Sequence, residues 1–443
     1  MVGRKKKTKV CEKELKEEDL ISNLHEPLIS EILLRLSTKD AVRTSLLSKS
    51  WRYLWQSVPG LDLSLYDFLH NNFSNIDAFL NFVERFFDSH RESWIRKLRL
   101  FLGYRHRICD LKSWINAVTR RKIQHLDVNY YSSDEIPVSI YTCETLVQLR
   151  LKWAGLPNAE YVSLPCLKIM HLERIRFTSD TTLEKLISGS PVLEDLKIFG
   201  CSNDNAIQVR SHTLKRINMD MDESSGFVID APLLQCLSTK IASTKDFQII
   251  SSDFPTKLDI DLQPMRHGHF VRPPKKVVRD ILTDIRRVRD LVITSDILKE
   301  FFLYSKSRTV RQFRNLSRLN ARFTVCDLEM LPALLESCTK LESLILDLFR
   351  YSSIRDKEKR EPNVVFEAVP RCLVSSLKFV ELKLSFIKDE GEMELARYFL
   401  KNSTILEKLR LNVCRREKSK CDYLTELVAM KRSCSSACQV LVL

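Results

Sequence analysis

From residue 61 onward, apolar residues recur in one short phrase: Leu, two residues, Leu, one residue, Leu, with conservative exchanges. The clearest copies are Leu193-Glu-Asp-Leu196-Lys-Ile198 and Leu406-Glu-Lys-Leu409-Arg-Leu411, followed by Leu146-Val-Gln-Leu149-Arg-Leu151 and Leu341-Glu-Ser-Leu344-Ile-Leu346. Looser copies centre on Leu98, Leu126, Met170, Ile217, Leu237, Leu258, Leu291, Leu319 and Val380. The last two apolar residues of each phrase are two apart, which places both on one face of a short strand. Their neighbours project from the other face: Gln148, Arg150 and Lys152; Asp195, Lys197 and Phe199; Arg216, Asn218 and Asp220; Arg318, Asn320 and Arg322. Such a residue is either a contact for a partner or plain solvated surface, and both readings stand at this point.

Successive middle positions lie mostly 20–29 residues apart, the period of leucine-rich repeats. Two longer intervals, 33 and 36, hold the polar insertions 266–276 and 352–363. Some stretches between phrases have helical stripes. One is 75–87, with Ile76, Phe79, Leu80, Val83, Phe86 and Phe87 on one side, and another is 111–118. The stretch 239–257 reads as loop or further strand. The predicted fold is an α/β solenoid, an irregular leucine-rich-repeat horseshoe over 64–370 in which each repeat covers the apolar face of the next. Its concave sheet suits a binding partner and needs no catalytic group.

Residues 24–58 follow a different rule. Leu28, Ile29, Ile32, Leu33 and Leu36 recur at helical spacing, and Pro27 fits a first turn. Ser37-Thr-Lys-Asp40 offers caps for a second helix, 41–47. A third would carry Trp51, Leu54 and Trp55. So small a module leans on a neighbour or a partner. Asp19-Leu-Ile-Ser-Asn-Leu24, Leu28-Ile-Ser-Glu-Ile-Leu33, Ser37-Thr-Lys-Asp-Ala-Val42 and Trp51-Arg-Tyr-Leu-Trp55, followed by Val58-Pro-Gly-Leu-Asp62, resemble a plant F-box. The resemblance implies a three-helix F-box at 19–63 that docks on a Skp-type adaptor and, through it, a cullin scaffold. It implies adaptor-binding or supporting roles for Leu24, Leu28, Ile29, Ile32, Leu33, Trp51, Leu54 and Trp55. The alternative for each is that it only fills the module's own core. Two departures bear on adaptor affinity: His25 and Ser37 stand where the family usually has Pro.

At the other end, Cys372-Leu-Val-Ser-Ser-Leu-Lys378 and Tyr398-Phe-Leu-Lys-Asn402 resemble the FBD region that follows F-box and leucine-rich repeats in plant proteins. The pattern reads strand, helix over 390–400, strand. A last short helix around Leu424, Leu427 and Val428 and a closing strand within 432–443 would complete a cap over 371–443.

Composition narrows the chemistry. Nine glycines, none closer than eleven residues to another, exclude the standard dinucleotide fingerprint, phosphate loop and nucleophile elbow. Thirteen scattered cysteines, no secretory pattern and no apolar run near ~18 residues point to an intracellular protein of the nucleus, the cytoplasm or both. The net charge of +14 is concentrated in a basic tail, 1–18, expected to be disordered, and in 266–322, with fifteen Lys/Arg against five Asp/Glu. The late cysteines Cys414, Cys421, Cys434 and Cys438 match no zinc spacing, and His267-Gly-His269 reads as a loop. Asp259 and Asp261 share a strand face, with no nucleophile or Gly loop beside them.

The sequence therefore predicts a non-catalytic substrate-recognition subunit of an SCF-type ubiquitin ligase. It would use no cofactor or metal, bind an unknown protein substrate on its concave face, and have no membrane partner. The alternatives are an adaptor-independent protein-binding solenoid, motivated by His25 and Ser37, and, ranked lower, a nucleic-acid or anion binder through 266–322.

Overall fold

The chain forms two compact units, 1–102 and 103–443. The structure, a computed structural model, describes residues 24–442 except 71–72, 75, 90–93, 104–110, 132–133, 159, 180, 202–206, 222–226, 242–246, 251–254, 263–284, 286–287, 306–312, 350–365, 367, 385–389 and 414–437.

In the first unit, α1 (Glu26–Arg35) begins with Pro27 in its first turn, where a missing N–H is harmless. Helix α2 (Thr38–Arg43) is capped by Ser37, whose Oγ accepts the Asp40 N–H at 3.1 Å. The second helix predicted over 41–47 starts three residues earlier, because Ser37 is its cap, and tightens into a 3-10 turn at Thr44–Leu46. The predicted third helix is a turn followed by one 3-10 segment, Leu54–Ser57. Strand β1 (Gly60–Ser64) pairs in parallel with β2 (Lys97–Gly103), and α3 (Ile76–Ser89) lies in the chain between them.

In the second unit the repeats build a parallel ladder in chain order. Its strands are β3 (His125–Tyr130), β4 (Gln148–Lys152), β5 (Ile169–Glu173), β6 (Asp195–Cys201), β7 (Arg216–Met221), β8 (Cys236–Ile241) and β9 (Lys257–Leu262). It continues through β10 (Asp290–Thr294), β11 (Arg318–Thr324), β12 (Ser343–Phe349), β13 (Phe379–Leu384), β14 (Lys408–Val413) and β15 (Gln439–Val442). The register is the one set by the repeated phrase. Leu126, Leu149, Met170, Leu196, Ile217, Leu237, Leu258, Leu291, Leu319, Leu344, Val380 and Leu409 are successive partners, and Val440 closes the row. Two residues on, a second inward row runs through Leu151, Leu172, Ile198, Met219, Ile260, Ile293, Ala321, Leu346, Leu382 and Leu411, all buried. Adjacent repeats are stitched by consecutive N–H groups donating to one carbonyl. Glu194 and Asp195 both donate to Lys168, and Glu342 and Ser343 both donate to Ser317.

Interval length decides what lies between the strands. Among the described residues, the intervals of 25 residues or more other than 258–291 hold helices: α4 (Leu111–Arg120), α5 (Thr182–Ser188), α6 (Ser295–Ser305), α7 (Leu331–Glu336), α8 (Arg371–Ser375) and α9 (Glu390–Asn402). The 20- and 21-residue intervals of 196–258 are too short for a strand, two turns and a helix. They carry a second, three-stranded parallel row instead: Ile207–Arg210, Phe227–Asp230 and Phe247–Ile249. The stretch 239–257 is thus the end of β8 and an outer strand. In the FBD region Tyr398, Phe399 and Leu400 are buried, and the Tyr398 hydroxyl donates to the Ala368 carbonyl at 2.7 Å. The predicted helix around Leu424–Val428, the basic tail, His267, His269 and about half of 266–322 lie outside the described residues.

Candidate interaction surfaces

The N-terminal module divides the residues singled out in it. Ile29, Leu33 and Trp51 are buried with Ala41 and Val58 in one small core, and Leu24, Leu54 and Trp55 pack partly buried against it. Leu28 and Ile32, one turn apart on α1, face away from that core, and Leu28 is 54% exposed. Leu46, Leu47 and Tyr53, from the two turns after α2, are also exposed, Leu46 at 86%. Sequence reasoning passed over these three, because a residue in a turn has no periodicity to show which way it faces.

A core this small borrows support from the rest of its unit. The Trp55 ring stacks on Phe82 of α3, with centroids 6.3 Å apart. Thr38 Oγ1 accepts the Asp62 N–H at 2.8 Å, and Lys39 pairs with Asp67 at 3.0 Å. Lys97 Nζ lies 2.6 Å from Asp62 Oδ2 and also donates to the Leu34 carbonyl, while Arg96 pairs with Glu31. Both departures from the family pattern keep the backbone angle a proline would impose, φ −60° at His25 and −64° at Ser37.

The open face of the ladder carries the predicted outward residues, and most of the charged ones pair across strands. Arg216 Nε meets Asp195 at 2.9 Å, Lys240 meets Asp220 at 2.7 Å, and Lys152 meets Glu173 at 2.5 Å. Arg318 lies 3.6 Å from Asp290, Arg322 3.5 Å from Asp347, and Arg150 4.0 Å from Asp127. Opposite charges directly across a ladder stabilise it modestly. The Asp195 carboxyl is held down at about 2, chiefly by His171, whose Nε2 is 3.6 Å away, and then by Arg216, against the opposing effect of burial. Asp259 is pushed up by burial, with the neighbouring Asp261 carboxylate adding to the effect.

Of the predicted face residues, Phe199, Asn218, Asp220, Asn320 and Arg322 come together around one hollow of about 370 Å³, lined also by Asp259 and Asp261. Arg150, Lys152, Asp195, Lys197, Arg216 and Arg318 lie on the same face outside it. The structure adds one feature without a sequence signal. Directly after β4 and β5, Trp153 and Arg174 take left-handed backbone angles, φ 59° and 52°, and Gly200 does the same within β6. The Arg174 guanidinium covers the Trp153 ring at 4.4 Å, and Tyr131 packs on the same ring at 4.8 Å.

Burial pushes the thiols of Cys338 and Cys372 up to about 12. No group of three or more His, Cys, Asp or Glu among the described residues could hold a metal, and no described helix is long and apolar enough to cross a membrane.

Comparison with known proteins places these parts. The F-box domain family matches residues 21–62, the family described as "FBD-associated F-box protein At5g56370, LRR repeats" matches 111–253, and the FBD family matches 367–411. The F-box/FBD/LRR-repeat protein At1g51370 of Arabidopsis thaliana is 63% identical over 446 residues, covering all of both chains. From the same plant, the F-box/FBD/LRR-repeat protein At5g53840 is 43% identical over 98% of each chain. The putative F-box/FBD/LRR-repeat protein At2g05300 is 39% identical over 96% of this chain and 97% of its own. With all three regions matched and relatives aligned end to end, the chain belongs to the F-box/FBD/LRR-repeat family.

Proposed function

We propose that the chain is a substrate-recognition subunit of an SCF-type ubiquitin ligase, working in the nucleus, the cytoplasm or both. The observation that carries this reading is the division within the F-box. Its core is closed by Ile29, Leu33, Ala41, Trp51 and Val58, while Leu28, Ile32, Leu46, Leu47 and Tyr53 remain uncovered. Five large apolar side chains left in water on so small a module fit a protein interface. Their partner would be a Skp-type adaptor, and through it a cullin scaffold. The open face of the ladder would hold the protein target. The chain itself would be non-catalytic: it would hold a lysine of the target near a ubiquitin-charged enzyme, and proximity would do the work.

The test is a pull-down of the full chain with a purified plant Skp-type adaptor. Binding at micromolar protein is expected, with a loss of at least tenfold in the Leu28→Ala, Ile32→Ala double variant at unchanged far-UV dichroism. No binding by the intact chain would end this reading and leave a protein-binding solenoid that works without the adaptor. The proline-like angles at His25 and Ser37 support the first reading over that one, since the module keeps its geometry without the prolines. The nucleic-acid alternative has less support: Arg318 and Arg322 of the basic stretch already face Asp290 and Asp347.

A further inference from the structure

The hollow on the open face differs in its charge arrangement from the ladder around it. Elsewhere on this face an acid meets a base on the next strand. In the hollow, Lys240 is drawn to Asp220 on one side and Arg322 to Asp347 on the other. Between them lies Asp259 of β9, whose contact is a hydroxyl, Ser238 Oγ at 3.0 Å, and which has no ion pair among the described residues. Lys257 and Arg322 act on it only at longer range. Asp261 brings a second carboxylate two residues along the same strand. The one other cation of the lining among the described residues, Lys383, is on β13, four strands from β9, or about 19 Å at ~4.8 Å per strand.

The register shows what surrounds that carboxylate. Asn218, Ser238, Asp259, Val292 and Asn320 form one row across β7 to β11. The row thus holds one negative charge, the hydroxyl that donates to it, two carboxamides that can accept hydrogen bonds, and one apolar side chain. A second observation points into the same space. Thr294 lines the hollow on the outward parity of β10, is more than nine-tenths buried, and its Oγ1 has no hydrogen-bond partner among the described residues. A buried hydroxyl without a partner costs free energy unless a ligand or water completes it.

We propose that this hollow is the recognition pocket for a basic side chain, arginine in preference to lysine, presented by an extended segment of the protein target. A guanidinium offers five donors in a planar fork, which suits one carboxylate flanked by amide oxygens, and its methylene stem would lie against Val292. The volume, about 370 Å³, is at the small end of the ~300–1,000 Å³ of ligand pockets, adequate for one long side chain. The assignment rests on the receptor reading for the identity of its occupant, and on the hollow alone for its chemistry.

The test is a selection of a displayed library of random nine-residue peptides on the full-length protein, with affinities of the enriched peptides read by fluorescence polarisation. Enriched peptides should share an arginine or lysine at one position. Replacing that arginine by citrulline, and separately Asp259→Asn in the protein, should each cost at least tenfold, and the two losses combined should not multiply. Enrichment of peptides without a basic residue, enrichment no greater than on an unrelated solenoid, or full affinity for the Asp259→Asn protein would overturn the proposal. If that variant proves misfolded by dichroism, the citrulline exchange decides alone: unchanged affinity sinks the assignment. Adaptor binding measured on the same preparation separates the two readings. Failure here with adaptor bound condemns only the pocket, and peptide binding without adaptor condemns only the receptor role.

Discussion

Single residues in this chain do two jobs that the family pattern alone does not distinguish. Ser37 stands where the family usually has proline, and it caps α2 with its Oγ. Ser37→Ala should therefore cost about 1 kcal/mol, read from urea unfolding. Ser37→Pro should cost less, because φ is already −64° and a stiffer unfolded chain offsets the lost cap. Asp195 makes a claim about pH. Its folded pKa, about 2, is below the unfolded value of roughly 3.9, so the folded state binds this proton more weakly than the unfolded state does. The resulting stabilisation, on the order of 2 kcal/mol, is fully present above about pH 4 and is lost as pH falls through about 2. Unfolding followed from pH 6 to pH 2 should be less acid-sensitive in Asp195→Asn than in the unaltered chain. Asp259 works in the opposite sense, its folded pKa being raised, so Asp259→Asn should not lower stability at neutral pH. None of these environments is visible in the sequence, because each depends on which residue a neighbouring strand places alongside.

At the scale of elements, the two-residue alternation is the controlling quantity. Leu196 and Ile198 point inward and are fully buried, and Lys197 between them points out. Leu196→Ala should destabilise by about 2–5 kcal/mol through the cavity it leaves, whereas Lys197→Ala should stay within about 0.5 kcal/mol. Chemical denaturation of both variants separates the faces, and equal effects would contradict the register. The ladder was legible because each anchor residue, from Leu126 to Leu409, is both the strongest apolar signal of its segment and the register partner of the next. Helices with long apolar stripes were legible for the same reason: Ile76–Ser89 overlaps the expected 75–87 from residue 76 on, and Leu111–Arg120 contains the expected 111–118. Short turns were not. The segment with Trp51, Leu54 and Trp55 carries helical spacing, yet only Leu54–Ser57 closes into a 3-10 turn. Its side chains are held by Ile29 and Leu33 of α1 and by Phe82 of α3, so no regular helix of its own is needed to place them.

At the scale of the molecule, the F-box motif ends near residue 62, yet the compact unit extends to Leu102. The Lys97–Asp62 pair and the Trp55–Phe82 stack explain why a cut at 63 would leave the module without part of its support. A fragment of residues 1–102 should unfold in one cooperative transition reported by tryptophan fluorescence, while a fragment ending at 63 should show little protection in hydrogen exchange. Comparable protection in the shorter piece would refute that coupling. What the sequence by itself determined was the architecture: the recurring Leu pair sets strand, face and register, because a two-residue period buries only one side, and interval length sets whether a helix fits outside. The tertiary structure alone decided the sites. Which apolar residues of the F-box stay uncovered, which charges on the ladder cancel and which one is left at Asp259 depend on side chains meeting across strands twenty or more residues apart. Local pattern carries no record of those meetings, since a solvated lysine and a paired one have the same spacing.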